Sequence, residues 1–217
     1  MKKIVLLLSI IIIIILVVIR PLLNQYSYSF YNPKMGRKIF GIGIGRTATS
    51  SLSYALMQLG IKTWHAPAML NRENIVNYTQ KFDALTDLWS VTDIGFKELY
   101  EMFPNALYIL TLRESKSWLN STKYYKKLGS ISKWFPGYKE MQNKIKLLSI
   151  KYYEDYNASV IEFFKNKPNK LLIMNIPKGD GWKKLCTCLE LDEPLEPFPH
   201  ISEIYLHFYQ CIKYPIP

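Results

Sequence analysis

The sequence predicts an α/β domain, a three-layer arrangement with a mostly parallel central sheet flanked by helices, preceded by an N-terminal transmembrane helix. Three observations predict it. Short apolar runs alternate with longer amphipathic stretches, the pattern of βαβ units. The first run of the domain passes through a glycine-rich turn directly into a hydroxyl-rich helix. The apolar excess is concentrated at the N-terminus, where Ile4 to Ile19 is broken only by Ser9. With 49% hydrophobic and 21% charged residues in 217, disorder is excluded as the overall state.

As a helix, Ile4 to Ile19 would span about 24 Å, and continuing to Leu23 brings it to about 30 Å, the thickness of a bilayer core. Lys2 and Lys3 suit a signal peptide and a signal anchor alike, but Arg20-Pro21-Leu22-Leu23-Asn24-Gln25 holds no small-x-small cleavage pattern. Residues 1–23 are therefore read as an uncleaved single-pass membrane anchor, 24–37 as a polar linker and 38–217 as one domain. The lysines favour an inside N-terminus and a domain on the far side, lumenal and Golgi-like in a eukaryote. Arg20, Lys34, Arg37 and Lys38 on the other flank pull the opposite way, so orientation stays open. Three glycosylation sequons, at Asn77, Asn120 and Asn157, favour a lumenal glycoprotein without proving it. Cys186, Cys188 and Cys211 allow one disulfide to Cys211 and leave one thiol over, which fixes no redox compartment. His65, His200 and His207 lie apart, no Cys/His spacing points to zinc, and no metal is expected.

Within the domain, Lys38 to Ile44 reads as the first strand. Thr49 to Leu59 follows as a helix with Leu52, Leu56 and Leu59 on one face, stopped by Gly60. Asp83 to Asp87 is the next strand, and Phe96 to Phe103 a helix that ends before Pro104. Ala106 to Leu112 is a strand, Ser115 to Leu128 a polar helix, and Glu140 to Lys165 is long enough for two helices or one bent one. Lys170 to Asn175 closes the strand set, and Pro194 to Pro199 reads as a surface strap.

The formal net charge of +11 comes from 28 basic and 17 acidic residues. It is diffuse and no basic helix stands out, so no nucleic-acid partner is expected. In a parallel sheet, ligands bind at the carboxyl ends of the strands. The residues that follow the predicted strands are Arg46, Asp87, Arg113 and Lys178. Three cations and a carboxylate along one edge suit a polyanion with a base beside it.

The most specific local motif is Lys38-Ile-Phe-Gly-Ile-Gly-Ile-Gly-Arg-Thr-Ala-Thr-Ser-Ser-Leu52. Glycines let a backbone approach an anion, helical N–H groups point at it, and Arg46, Thr47, Thr49, Ser50 and Ser51 add donors. It is a phosphate cradle in physical terms. It is not a Walker A loop, and Gly41-x-Gly43-x-x-Arg46 lacks the third glycine of a dinucleotide fingerprint. The second motif is Ala106-Leu-Tyr-Ile-Leu-Thr-Leu-Arg113-Glu-Ser-Lys-Ser-Trp-Leu-Asn-Ser121. Here an Arg after a buried strand and a Ser in the next helix would grip a second phosphate by a fork plus a hydroxyl.

Together the two motifs resemble the nucleotide-binding motifs of the sulfotransferases that use 3′-phosphoadenosine 5′-phosphosulfate (PAPS), enzymes with a P-loop NTPase-like fold. Phe82-Asp-Ala-Leu-Thr-Asp87 with Phe96-Lys-Glu-Leu-Tyr-Glu-Met-Phe-Pro104, and Pro177-Lys-Gly-Asp-Gly-Trp-Lys-Lys-Leu-Cys186 with Pro197-Phe-Pro199, are similar to the branch with a Gly-Arg-Thr-Gly-Thr loop. The likeness runs in order from about Lys38 to Ser202. It implies that Arg46, with Gly45 beside it, meets the phosphosulfate and stabilises the leaving group. It also implies that Thr47, Ala48, Thr49 and Ser50 hold the 5′-phosphate, that Arg113 and Ser121 hold the 3′-phosphate, and that Lys178 and Gly179 lie in a basic loop that closes over it. Ala48 stands where the family usually has Gly. At a helix entry with negative φ, Ala sits without strain.

In-line sulfuryl transfer needs a base for the acceptor hydroxyl and a cation where charge collects on the departing nucleotide. Arg46 suits the second task. Asp87, at a strand end on the active edge, is the favoured base, with Asp93 and His65 as alternatives. A non-catalytic nucleotide-binding or interaction protein on the same fold is the competing reading. A kinase-like phosphoryl transferase is disfavoured, because no P-loop Lys or metal-binding Asp pair is present. Trp64, Trp89, Tyr124, Tyr125 and Trp134 would stack on a sugar or aromatic acceptor, but the chain's general Tyr richness accounts for them as well. The acceptor pocket is not readable from sequence.

Overall fold

A computed structural model describes residues 36–66, 70–128 and 148–201. The anchor at 1–23, most of the linker, Trp134 and Cys211 fall outside the described residues. Among those described, no helix is long and apolar enough to cross a membrane.

Five strands form one sheet: β1 (Ile39–Gly41), β2 (Thr63–His65), β3 (Ala84–Thr86), β4 (Leu107–Thr111) and β5 (Leu171–Met174). Their order is β2-β3-β1-β4-β5 and every neighbouring pair is parallel. The helices are α1 (Thr49–Gln58), α2 (Ile75–Lys81), α3 (Leu88–Val91), α4 (Phe96–Met102), α5 (Ser115–Leu128), α6 (Ile150–Phe164) and α7 (Trp182–Leu189). A 3₁₀ turn covers Ile176–Lys178.

Side-chain alternation along the strands builds the two cores. Ile39, Leu107 and Ile109 face α1 and α7, packing with Leu52, Leu56, Leu185 and Leu189. Phe40, Tyr108 and Leu110 point the other way, against Ile75, Leu99, Val160 and Phe164 of α2, α4 and α6. Because both faces are covered, β1, β3 and β4 are buried throughout, and β3 and β4 are apolar up to a buried threonine at their carboxyl ends. The three-layer, parallel arrangement expected from the sequence is observed. Leu52 and Leu56 are fully buried, each worth about 2 kcal/mol of transfer free energy. As expected, α1 stops at Gly60, whose φ of 78° is open to glycine without penalty and whose N–H reaches the Met57 carbonyl.

Four elements besides the 3₁₀ turn were not expected, among them the four-residue helix α3 directly after β3. Strand β2 has only three residues, too few to show a period, and sits at the sheet edge. Helix α2 buries only Ile75 and the polar Thr79 and leaves Val76 exposed, so no apolar stripe marks it. Helix α7 does carry an apolar stripe, Trp182, Leu185, Cys186 and Leu189, at helical spacing. The Pro194 to Pro199 strap is irregular, as expected. It is held by Trp182, whose Nε1–H donates to the Glu196 carbonyl at 2.7 Å and whose ring meets Phe198 edge-on.

Candidate functional site

The connections from β1 and β4 leave in opposite directions, β1 through α1 toward β2 and β4 through α5 and α6 toward β5. Adjacent strands that diverge in this way open a crevice at their carboxyl ends. Arg46 follows β1 and Arg113 follows β4, on either side of it. Asp87 follows β3 and Lys178 follows β5, so four neighbouring strands deliver the four residues singled out from the sequence. His65 ends the remaining strand, β2.

Two glycines make the close packing there. A Cβ on Gly43 would lie 2.1 Å from Thr111 Oγ1 and 2.8 Å from the Thr111 nitrogen, and one on Gly41 would lie 3.0 Å from Thr86 Cβ. The missing side chains of these two glycines admit the neighbouring strands. The chain then makes a tight turn. Gly45 is buried, and Arg46 and Ala48 take left-handed φ values of 73° and 69°. The negative φ expected at Ala48 is therefore corrected, because the turn needs a left-handed residue immediately before α1. The Ala48 methyl packs against the α1/α7 core cluster. No side chain caps α1. Its first-turn N–H groups thus suit an anion, with Arg46 half-buried beside them.

Thr47 does not present its hydroxyl to that anion. The side chain is fully buried, donating to the Ile44 carbonyl at 2.6 Å and pairing with Thr111 Oγ1 at 2.6 Å, so it pins the turn to β4 from beneath. Thr49 and Ser50 lie in the first turn of α1, largely buried. Ser50 Oγ is 3.4 Å from His65 Nε2, and His65 Nδ1 lies 3.1 Å from both Ser53 Oγ and Thr86 Oγ1. Ser53 and Thr86 also bond each other. His65 is thus a buried residue bridging β2, β3 and α1.

Arg113 joins the second motif to the first. Its Nη1–H donates to the Arg46 carbonyl at 3.3 Å, and its Nε–H donates to Ser117 Oγ at 3.0 Å. The expected pairing with Ser121 is not direct. Ser121 Oγ donates to the Trp118 carbonyl at 2.7 Å, while Ser117, one turn earlier on the same face, meets the guanidinium. Glu114 caps α5 through the Lys116 and Ser117 N–H groups at 3.0 and 2.6 Å. Those two bonds hold its carboxyl below the usual range, and the charges of Lys116 and Lys178 add to the effect. Lys178 is exposed in the turn after β5, facing the Arg113–Glu114 corner. Gly179 beside it has φ 103°.

Asp87 is 3% exposed with φ 57°. It occupies the N-cap position of α3 but its side chain makes no capping bond. Asp93, the alternative base, is exposed. Of the aromatic residues named for an acceptor, Trp64 packs on Phe82 at 5.0 Å and Trp89 meets Tyr152 edge-on at 6.2 Å. The Tyr124 and Tyr125 side chains lie outside the described set. Cys186 and Cys188 are free thiols, Cys186 buried and pushed up to about 11 by that burial. Of the sequons, Asn77 and Asn120 are exposed, whereas Asn157 is 8% exposed in the middle of α6 and cannot carry a glycan in the folded domain. Among the described residues no group of three His, Cys, Asp or Glu could hold a metal ion.

The family model described as "Sulfotransferase domain" matches residues 38–136 and 123–204, well over half of the chain and spanning both basic motifs. The chain belongs to the sulfotransferase family. "Ava biosynthesis cluster protein M" of Aspergillus versicolor is 26% identical to this sulfotransferase over 211 residues, covering 76% of this chain and 80% of its own. The crystal structure of a sulfotransferase from Alicyclobacillus acidocaldarius aligns over 82% of this chain and 92% of that one, at 14% identity and a TM-score of 0.48. Sequence reasoning missed three residues that hydrogen-bond to Arg113 or to the turn at Gly45: Ser117, Trp118 and Tyr153. Trp118 is the one apolar aromatic in a polar stretch of α5, a detectable signal. Nothing marks Tyr153 among 16 tyrosines.

Proposed function

We propose that this sulfotransferase moves a sulfuryl group from PAPS to a hydroxyl on a carbohydrate, lipid or small molecule. The observation that carries the reading is the contact between the Arg113 guanidinium and the Arg46 carbonyl, which brings the two basic motifs to one crevice. A donor with phosphates at both ends would lie across it. Its 5′ end would meet the uncapped N-terminus of α1 and Arg46, with Thr49 and Ser50 nearby. Its 3′-phosphate would meet Arg113, Ser117, Ser121 and Lys178. Thr47 contributes through its main chain and by holding the turn.

In the reaction the acceptor oxygen attacks sulfur and the bond from sulfur to the bridging oxygen of the 5′-phosphate breaks. The acceptor proton passes to Asp87, and the charge released on the nucleotide is met by Arg46, which stays protonated. Residues 1–23 would anchor the domain to a membrane as a single pass.

Adenosine 3′,5′-bisphosphate should raise the melting temperature of the full chain, and sulfur-labelled PAPS with an acceptor panel should yield labelled product. The Asp87→Asn variant should keep bisphosphate binding and lose turnover by at least about 100-fold. Wild-type turnover in that variant would reject Asp87 as the base. No stabilisation by the bisphosphate, with Arg113→Ala behaving as wild type, would reject the donor reading. A second reading, nucleotide binding without catalysis, is favoured by one observation: Ala48 holds a left-handed turn position that suits glycine. Binding without transfer or donor hydrolysis would select it.

A further inference from the structure

Helix α6 lies outside both basic motifs, yet its tyrosines reach the ends of the two central strands. The Tyr153 hydroxyl accepts from the Arg113 N–H at 2.8 Å and donates to the Arg113 carbonyl at 2.9 Å, so one group fixes both peptide units flanking that residue. One turn later the Tyr156 hydroxyl donates to the Ile42 carbonyl at 2.6 Å, where the chain leaves β1. Tyr153 is 2% exposed and its ring stacks on Trp118 at 4.3 Å with an interplanar angle of 18°. The Trp118 Nε1–H in turn donates to the Gly45 carbonyl at 3.0 Å, at the start of the anion turn. Both rings pack with Ile44 in a small cluster of their own.

We infer that the stacked Tyr153–Trp118 pair is a positioning device for the donor. In it the Tyr153 hydroxyl aims Arg113 at the 3′-phosphate, and the Trp118 indole holds the Gly45–Arg46 turn for the 5′ end. The inference rests on the donor reading given above. Neither side chain would touch the donor; Tyr153 acts through the main chain of Arg113, and Trp118 through the carbonyl of Gly45 next to Arg46. A hydroxyl bonded on both sides of one residue leaves its backbone little freedom. The guanidinium then starts from a fixed root and loses less entropy on binding. Burial raises the Tyr153 phenol above its ordinary range, which keeps it neutral and able to donate and accept at once.

The two roles separate by ligand. Adenosine 3′,5′-bisphosphate uses both ends of the site, whereas adenosine 5′-monophosphate lacks the 3′-phosphate. Titration calorimetry on the full chain in detergent should show Tyr153→Phe weakening the bisphosphate about fivefold and the monophosphate by less than about twofold, on the scale of a lost hydrogen bond. Trp118→Phe keeps a ring for the stack but loses the bond to Gly45, and should weaken both ligands by similar factors. In an Arg113→Ala background, Tyr153→Phe should add almost nothing, because its route of action is gone. A purely structural role for Tyr153 would weaken both ligands equally and add to Arg113→Ala; either result would overturn the inference. So would wild-type affinity in both single variants. Absence of bisphosphate binding by the wild type would overturn the donor reading itself, and the inference with it, which sets that failure apart from a failure of the variants.

Discussion

Ala48 and Gly43 show how much a single position in the turn can carry. An L-residue at φ 69° is strained by about 1–2 kcal/mol, part of which glycine would give back through its freer unfolded chain. Ala48→Gly should therefore stabilise the domain by up to about 1 kcal/mol, read as a higher urea midpoint at unchanged slope. Destabilisation would mean that the methyl's contact with the core outweighs the strain. Gly43 is the opposite case. Its missing Cβ would meet the Thr111 side chain and two main-chain atoms, and the main chain cannot move without opening the β1–β4 pairing. Gly43→Ala should cost about 3 kcal/mol or more and lower bisphosphate affinity with it. Folding and binding like wild type would show that the strands separate more easily than the register implies.

At the scale of elements, what matters is how each helix is docked at its entrance. The loop from β5 through Lys178 to α7 is closed by Asp180, whose Oδ2 accepts from the Asn175 N–H at 2.6 Å and from Lys184 Nζ at 2.8 Å. These partners, the Lys184 bond first, hold the Asp180 carboxyl below its usual range. A carboxyl depressed in the folded state contributes stability above its unfolded pKa and loses it as pH falls through the folded value. Asp180→Asn should then cost about 1 kcal/mol at pH 7, and the difference should shrink once pH drops below the ordinary carboxylate range of about 3.9. Urea titrations of both proteins at pH 7 and pH 3 would check this; a gap that stays constant would remove the ionised carboxylate from the account.

Over the whole molecule, one basic edge of a parallel sheet faces a crevice, and the sequence places a strongly apolar segment ahead of the domain. If residues 1–23 anchor the chain, it should stay with membranes through an alkaline carbonate wash and come off in detergent; release by carbonate alone would reject the anchor. Whichever side the domain faces, peptide mapping should find Asn157 unmodified, since that side chain lies within α6.

What was legible in the sequence lay within a few neighbouring residues: the β1 turn and α1 with its glycine stop, the β4–Arg113–α5 motif, and the apolar β5. Side-chain periodicity and turn chemistry are local, so a short window contains them. Their order along the chain carried the family resemblance and placed Arg46, Asp87, Arg113 and Lys178 at strand ends. The tertiary structure decided the rest. It put a three-residue strand at the edge, turned the Thr47 hydroxyl under the loop, set Ala48 at positive φ and gave Arg113 Ser117 as its neighbour. It brought Tyr153, 40 residues away, onto the Arg113 backbone. Apart from Ser117, which is only four residues from Arg113, none of these follows from a local pattern, because each depends on which distant surface arrives to satisfy a buried polar group or fill a gap. Only the packed sheet with its helices supplies that surface.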